Sequence, residues 1–179
     1  MEFIQTGFDG LIELIPGIFR DARGYFLETF HKNRLAENGI DLEIMQINQS
    51  YSQKGVIRGL HLQVAPHSQA KLVRVLSGKV LDVVLDIRTD SETFGKHYKC
   101  TLDSERRNML YVPEGFAHGF AALEDSLFQY DCSTNYQPAA EMGILWNDPE
   151  LAIDWQIKDP IISEKDLSLP RFKDFLELV

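Results

Sequence analysis

Apolar and polar residues alternate along much of the chain from Glu43 onward, which is the pattern of half-buried β-strands. Within residues 79–88, Val83 and Leu85 are predicted to lie on one face of a strand. Asp82 and Asp86 are predicted to lie on the opposite face. Further strands are predicted over residues 72–76, 96–102, 108–112, 116–123 and 127–134. Short strands at near-regular spacing, separated by Gly and Pro, favour an antiparallel barrel or sandwich.

The two ends of the chain carry fewer strands. Residues 1–20 predict one or two short strands, a turn follows at Asp21–Gly24, and strand propensity resumes to Phe30. A helix is predicted from Lys32 to Asn38, ended by Gly39, and a short terminal helix broken by Pro170 is predicted within residues 163–179. No repeat or low-complexity linker divides the chain, so residues 1–179 are expected to form one domain.

The amino-acid composition and net charge limit the classes of function that the protein could have. The chain has 179 residues, 44% of them hydrophobic, and a net charge of −9, which disfavours nonspecific binding to nucleic acid or an anionic membrane. Cys100 and Cys132 form no CxxC pair and are expected to be buried free thiols. Residues 1–20 do not have the pattern of a signal peptide, and no apolar run reaches membrane-spanning length, so a soluble cytoplasmic protein is expected.

The segment from Ser50 to Val75 concentrates polar side chains that carry chemistry. Arg58, His61, Gln63 and Lys71 follow one another along predicted strands. Two cations and an imidazole on neighbouring strands suit an anionic substrate that must lose a proton. The same residues are equally consistent with a polar strand edge whose charges are solvated.

Metal and nucleophilic chemistry find little support. The strand-rich centre holds His61, His67, His97 and His118, but the position two residues after His61 is a glutamine and no glutamate follows closely, so no metal is expected. The chain contains no GxSxG, GxGxxG or GxxxxGK[ST] motif. Acid–base chemistry by His, Tyr, Asp and Lys remains, although the residue types alone do not show that these side chains converge.

A series of motifs, in order along almost the whole chain, resembles the dTDP-4-dehydrorhamnose 3,5-epimerase family. A single one of these motifs would be weak evidence, whereas the ordered series is strong. The motifs are Asp21–Glu28, Gln46–Ser50, Gly55–Gln63, Gln69–Val75, Asp82–Arg88, Ser91–Gly95, Val112–Phe120, Ile144–Pro149 and Ser163–Asp166.

The resemblance implies a mainly β, single-domain, cupin-type jelly-roll β-barrel with short peripheral helices, usually a homodimer, without metal or cofactor. It implies inversion of C3 and C5 of dTDP-4-dehydro-6-deoxy-D-glucose in dTDP-L-rhamnose biosynthesis. By resemblance, His61 is the general base and Asp166 orients it. Lys71 holds the enolate oxygen, and Tyr130 donates a proton on the opposite face.

The resemblance also implies a set of substrate contacts, with Tyr136 stacking on thymine and Arg23 and Arg58 beside the diphosphate. Taken singly, several of these are also consistent with surface charges, turn packing or core. The contacts are Arg23, Phe26, Glu28, Gln46, Asn48, Arg58, His118, Tyr136, Glu141 and Lys165.

Two other functions are consistent with these motifs. One is a mono-epimerase that inverts only C3 or C5 of a related nucleotide-4-ketosugar. The other is a noncatalytic sugar-nucleotide-binding cupin, which the intact set of His61, Lys71, Tyr130 and Asp166 argues against.

Overall fold

The alternation of polar and apolar residues produces thirteen short strands in the computed structural model, which describes residues 1–179. The strands are β1 (Glu2–Gln5), β2 (Ile12–Ile15), β3 (Ile18–Asp21), β4 (Gly24–Leu27), β5 (Gln46–Ser52), β6 (Ile57–Gln63), β7 (Lys71–Ser77), β8 (Lys79–Asp86), β9 (His97–Asp103), β10 (Met109–Val112), β11 (Phe116–Ala122), β12 (Ser126–Cys132) and β13 (Glu141–Gly143). The helices are α1 (Lys32–Glu37), α2 (Glu164–Leu167) and α3 (Phe172–Leu176).

Most strands belong to two antiparallel sheets. A six-stranded sheet has the order β1-β2-β10-β7-β12-β5, and a five-stranded sheet has the order β13-β6-β11-β8-β9. Strands β3 and β4 form a separate hairpin. The fold is mainly β and cupin-type, as predicted, but the two sheets do not close into one continuous barrel.

Strand β8 is buried on both faces, because a second layer packs on each side of its sheet. Val83 and Leu85 pack towards the C-terminal segment, whereas Val80 and Val84 pack between the sheets. Asp82 and Asp86 were predicted to lie on the opposite face from Val83, and they do, but that face is inside the protein and both side chains are fully buried. The alternation therefore does not mark a solvent-exposed face here.

The helices are short, as predicted. Helix α1 ends one residue before the predicted boundary, and Gly39 follows it in the left-handed conformation. The predicted terminal helix is broken at Pro170, which separates α2 from α3. No helix combines the length and the apolar character needed to cross a membrane.

Free thiols differ in burial. Cys132 is fully buried on β12, and its side chain lies next to Lys71 on the neighbouring strand. Cys100 on β9 is only partly buried, contrary to the prediction, because β9 is the edge strand of its sheet.

Candidate active site

A cavity of about 690 Å³ opens between the inner faces of the two sheets and is closed on one side by the segment that leads into α2. Strands of both sheets contribute to its walls. Most of the predicted site residues line it, namely Gln46, Asn48, Arg58, His61, Lys71, His118, Tyr130, Tyr136, Glu141, Lys165 and Asp166.

His61 on β6 is bonded to the Asp166 carboxylate, with 2.7 Å between Nε2 and Oδ1. Asp166 lies in the first turn of α2, where its backbone N–H donates to Ser163 Oγ, the N-cap side chain. The backbone N–H of Gly59 donates to the other carboxylate oxygen at 3.2 Å. Asp166 is therefore fixed from both its own helix and the strand that carries His61.

The charge on Asp166 decides which nitrogen of His61 is free. Burial alone would raise the pKa of Asp166, but the hydrogen bond and charge of His61, with the bonds from Gly59 and Ser163, leave it below its usual value. An ionised carboxylate only accepts hydrogen bonds, so Nε2 of His61 carries a proton. Nδ1 makes no hydrogen bond within the chain, and its lone pair can therefore accept a proton from a bound molecule.

Glycine is required where β6 passes β11. Gly59 has a φ of +123°, and a Cβ on it would lie 2.6 Å from the Cα of Gly119. A Cβ on Gly119 would lie 2.6 Å from the carbonyl oxygen of Arg58. This close approach places His61 directly opposite His118 on the neighbouring strand. Both imidazoles thus belong to the five-stranded wall of the cavity.

Lys71 faces the cavity from β7 of the opposite sheet. Burial lowers its pKa, while the nearby carboxylates of Asp82 and Glu141 oppose that shift. Its ammonium is thus a poorly solvated charge that gains from any negative charge developing in the cavity.

Tyr130 on β12 belongs to the same sheet as Lys71, since β12 pairs with β7. Burial raises the pKa of its phenol, and the nearby charge of Arg58 opposes the shift. The phenol is therefore protonated at neutral pH and can donate a proton. The imidazole of His61 and the phenol of Tyr130 thus come from opposite walls of the cavity.

A chain of hydrogen bonds runs along the opening of the cavity, here called its mouth. Glu141 accepts from Lys165 Nζ at 2.6 Å and from the Tyr136 hydroxyl. These bonds link β13, α2 and the loop after β12, and with the charge of Lys165 they outweigh burial and lower the pKa of Glu141. The backbone N–H of Tyr136 donates to Gln46, whose side-chain amide donates to Asn48.

Arg58 lies on the five-stranded wall with its guanidinium free to meet an anion. Nε donates to Ser52 Oγ at 3.0 Å and Nη2 donates to the carbonyl of Tyr51. No carboxylate pairs with it.

Three predicted substrate contacts do not line the cavity of their own chain. Arg23 and Phe26 lie on the β3–β4 hairpin, where Arg23 pairs with Asp21 and is 89% exposed, and Phe26 is 68% exposed. Glu28 follows the hairpin and pairs with Arg34. Within one chain, the structure does not bring this group to His61.

Three further residues support the site. The sequence placed Gln63 on the strand of His61 without a role, and neither Gln69 nor Asp82 was predicted to belong to the site. Gln63 accepts from the backbone of Gln137 and holds the loop that carries Tyr136, and Gln69 donates to Thr134 in the same loop. Asp82 accepts from His118 beneath the cavity wall. A carboxylate with two apolar residues on each side was the available signal for Asp82.

His67 and His97 do not line the cavity. No three His, Cys, Asp or Glu side chains cluster closely enough to hold a metal ion together.

Known proteins share this architecture. The family model described as dTDP-4-dehydrorhamnose 3,5-epimerase matches residues 5–174. The enzyme of that name from Methanothermobacter thermautotrophicus is 45% identical over 92% of this chain and 90% of its own length. The crystal structure of the Elizabethkingia anophelis epimerase is 44% identical, with a TM-score of 0.94 over 97% of each chain.

A third relative was solved with a sugar nucleotide. The dTDP-6-deoxy-D-glucose-3,5-epimerase of Legionella pneumophila, in complex with dTDP-4-keto-L-rhamnose, is 41% identical. Its TM-score is 0.89 over 96% of this chain and 98% of its own. With the family model covering nearly all of its length, the chain belongs to the dTDP-4-dehydrorhamnose 3,5-epimerase family.

Proposed function

We propose that the protein is a dTDP-4-dehydrorhamnose 3,5-epimerase, which inverts C3 and C5 of dTDP-4-dehydro-6-deoxy-D-glucose. One observation carries the proposal. A carboxylate-bonded imidazole on one wall of the cavity faces an ammonium and a protonated phenol on the other wall. Epimerisation next to a ketone needs a base on one face of the carbon, an acid on the other, and a cation at the carbonyl oxygen.

Both reacting carbons flank the C4 ketone, so the same carbonyl acidifies each proton. His61 takes the proton from carbon, and the C–H electron pair forms the C=C bond of an enolate while the carbonyl electrons move to oxygen. Lys71 stabilises that oxygen by charge and hydrogen bonding. Tyr130 then donates its proton to the opposite face of the carbon, which inverts it. Proton exchange with water restores the imidazole and the phenol before the second carbon reacts.

Asp166 supports the base. Its carboxylate stabilises the imidazolium that forms when His61 accepts a proton, and it fixes the ring so that Nδ1 stays available. Because Asp166 is held by Ser163 and Gly59, this orientation is set before substrate binds.

The nucleotide end of the substrate is proposed to bind at the mouth. Arg58 offers paired donors to the diphosphate. Its local positive charge offsets the repulsion that a protein with a net charge of −9 exerts on an anionic substrate. Tyr136 is proposed to stack on thymine. The remaining contacts proposed along the cavity are Gln46, Asn48, His118, Glu141 and Lys165.

A homodimer accounts for the residues that lie off the cavity. Arg23, Phe26 and Glu28 would complete the substrate site if the hairpin of one chain reached the cavity of the other. The hairpin supports this, since Phe19 and Phe26 expose 67% and 68% of their surface on it. We further propose that residues 1–179 form one domain, that the enzyme is cytoplasmic and works without a cofactor, and that it binds neither nucleic acid nor membrane.

A coupled assay tests the activity. The protein is incubated with dTDP-4-dehydro-6-deoxy-D-glucose, NADPH and the reductase that forms dTDP-L-rhamnose, and NADPH oxidation is followed. Oxidation that requires the protein, with L-rhamnose as the sugar product, is expected. No oxidation with an active reductase would contradict the proposal, and product inverted at a single carbon would identify a mono-epimerase instead.

A further inference from the structure

Asp82 is a buried carboxylate that has no role in the proton transfers proposed above. It lies in the middle of β8, is fully buried, and its two oxygens lie 2.9 and 3.1 Å from Nε2 of His118. His118 is its one hydrogen-bond partner among the side chains. Burying a charge with a single partner costs stability, and an apolar residue of similar size is often at least as stable at such a position.

Asp82 also lies near Lys71, which faces the cavity from the opposite sheet. Three groups from three strands lie near that ammonium: the Cys132 thiol on β12 and the carboxylates of Asp82 on β8 and Glu141 on β13. Burial raises the pKa of the Cys132 thiol, which is therefore neutral at pH 7. Glu141 is already paired with Lys165 at 2.6 Å. Asp82 is thus the carboxylate near Lys71 that forms no salt bridge with any other lysine or arginine.

We propose that Asp82 is a positioning residue for the epimerisation, a role that rests on the proposed function. It fixes the orientation of His118 through Nε2 and supplies the counter-charge for Lys71. The two side chains it governs lie on opposite sheets and both line the cavity. One buried carboxylate thereby acts on both walls of the cavity. It favours the Lys71 ammonium that meets the carbonyl oxygen, where negative charge develops, and it fixes which ring nitrogen of His118 is turned to the substrate.

The variant Asp82→Asn tests this, because it keeps the shape and a hydrogen-bond acceptor for His118 but removes the charge. We expect kcat to fall on the order of a hundredfold, as for misplaced catalytic groups, with KM within about twofold. The alkaline limb of the kcat profile should also move to lower pH. Without the carboxylate, the Lys71 ammonium is less favoured, so its pKa falls and it loses its proton earlier as the pH rises.

The matched control is Asp86→Asn. Asp86 lies on the same strand, is equally buried and pairs with Arg88, away from the cavity. Its pKa is about 2, held down by Arg88, Ser91 and Thr93 against the effect of burial. Asp86→Asn should lower Tm while kcat and the pH profile of the folded enzyme stay as in the wild type.

The outcomes separate the two proposals. Wild-type protein without turnover contradicts the proposed function, whatever Asp82 does. Active wild type with an Asp82→Asn variant of equal kcat and unshifted alkaline limb overturns the role of Asp82. If Asp82→Asn does not fold, ¹⁵N NMR of the wild-type His118 ring decides. A proton on Nε2 supports the proposal, and an unprotonated Nε2 overturns it.

Discussion

The space between the two sheets has two ends with opposite character, although the same strands build both. At the apolar end, defined by Val73, Val75, Val80, Val84, Leu102, Leu110, Val112 and Phe116, every side chain is at most 4% exposed. At the cavity end, defined by His61, Lys71, Asp82, His118 and Tyr130, polar groups replace them. Phe120 and Phe128 stack at the boundary, with ring centroids 4.3 Å apart.

The difference shows how the fold separates stability from chemistry. Strand β7 carries Lys71 and then Val73 and Val75 on the same face, so two residues along the chain are enough to pass from one end to the other. Burial of apolar side chains at the apolar end stabilises the folded state. The cavity end holds a partly desolvated ammonium and a buried carboxylate, which cost free energy in the absence of substrate. Changes at the two ends should therefore affect different measurements.

The largest effect on turnover is expected for His61→Asn at the cavity end. Loss of the general base should lower kcat by about 10³-fold, the usual contribution of a positioned base. Tm should fall only modestly, because His61 lines the open cavity and the amide of an asparagine can still donate to Asp166. The measurement is single-turnover kinetics beside a thermal melt. Turnover that survives the substitution would remove His61 as the base.

A smaller effect on turnover, without loss of stability, is expected for Lys71→Met. Loss of the ammonium should lower kcat about a hundredfold, because its charge matters most when the enolate forms. KM should change much less than kcat. Tm should stay equal or rise, since burial already penalises the charge, as the lowered pKa of Lys71 shows. A weaker affinity with unchanged kcat would assign Lys71 to ground-state binding.

The smallest effect on turnover is expected for Leu110→Ala at the apolar end. Leu110 is fully buried on β10, and the cavity left behind should cost about 3 kcal/mol of unfolding free energy. Urea denaturation measures that loss, and kcat of the folded enzyme should remain within about twofold of the wild type. A large fall in kcat for folded protein would show that the two ends are not separable.

How far the sequence predicts this arrangement depends on the residue. His61 and Lys71 stand out because they lie on strongly alternating strands, and their strands form as predicted. Asp166 is 105 residues from His61, and only the family resemblance linked them. Pairing between such distant segments is set by the packing of the whole fold, which no local pattern encodes.

Asp82 was placed on the correct face of its strand but was not predicted to be buried. The period-2 pattern of β8 separates Asp82 from Val83 and does not reveal that a second sheet covers the polar face. Arg23 and Phe26 were predicted at the substrate from the resemblance, but within one chain they lie on an exposed hairpin. The contact with a second chain that is proposed for this hairpin is not encoded in any local alternation.

The most direct test of the central claim is NMR of dTDP-4-dehydro-6-deoxy-D-glucose incubated with the protein in deuterated water. Proton abstraction on both sides of the C4 ketone, by one base and one acid, predicts deuterium at C3 and at C5 of the sugar. His61→Asn should show neither label over the same time. Deuterium at one carbon only, or at neither with the wild type, would contradict a double epimerase.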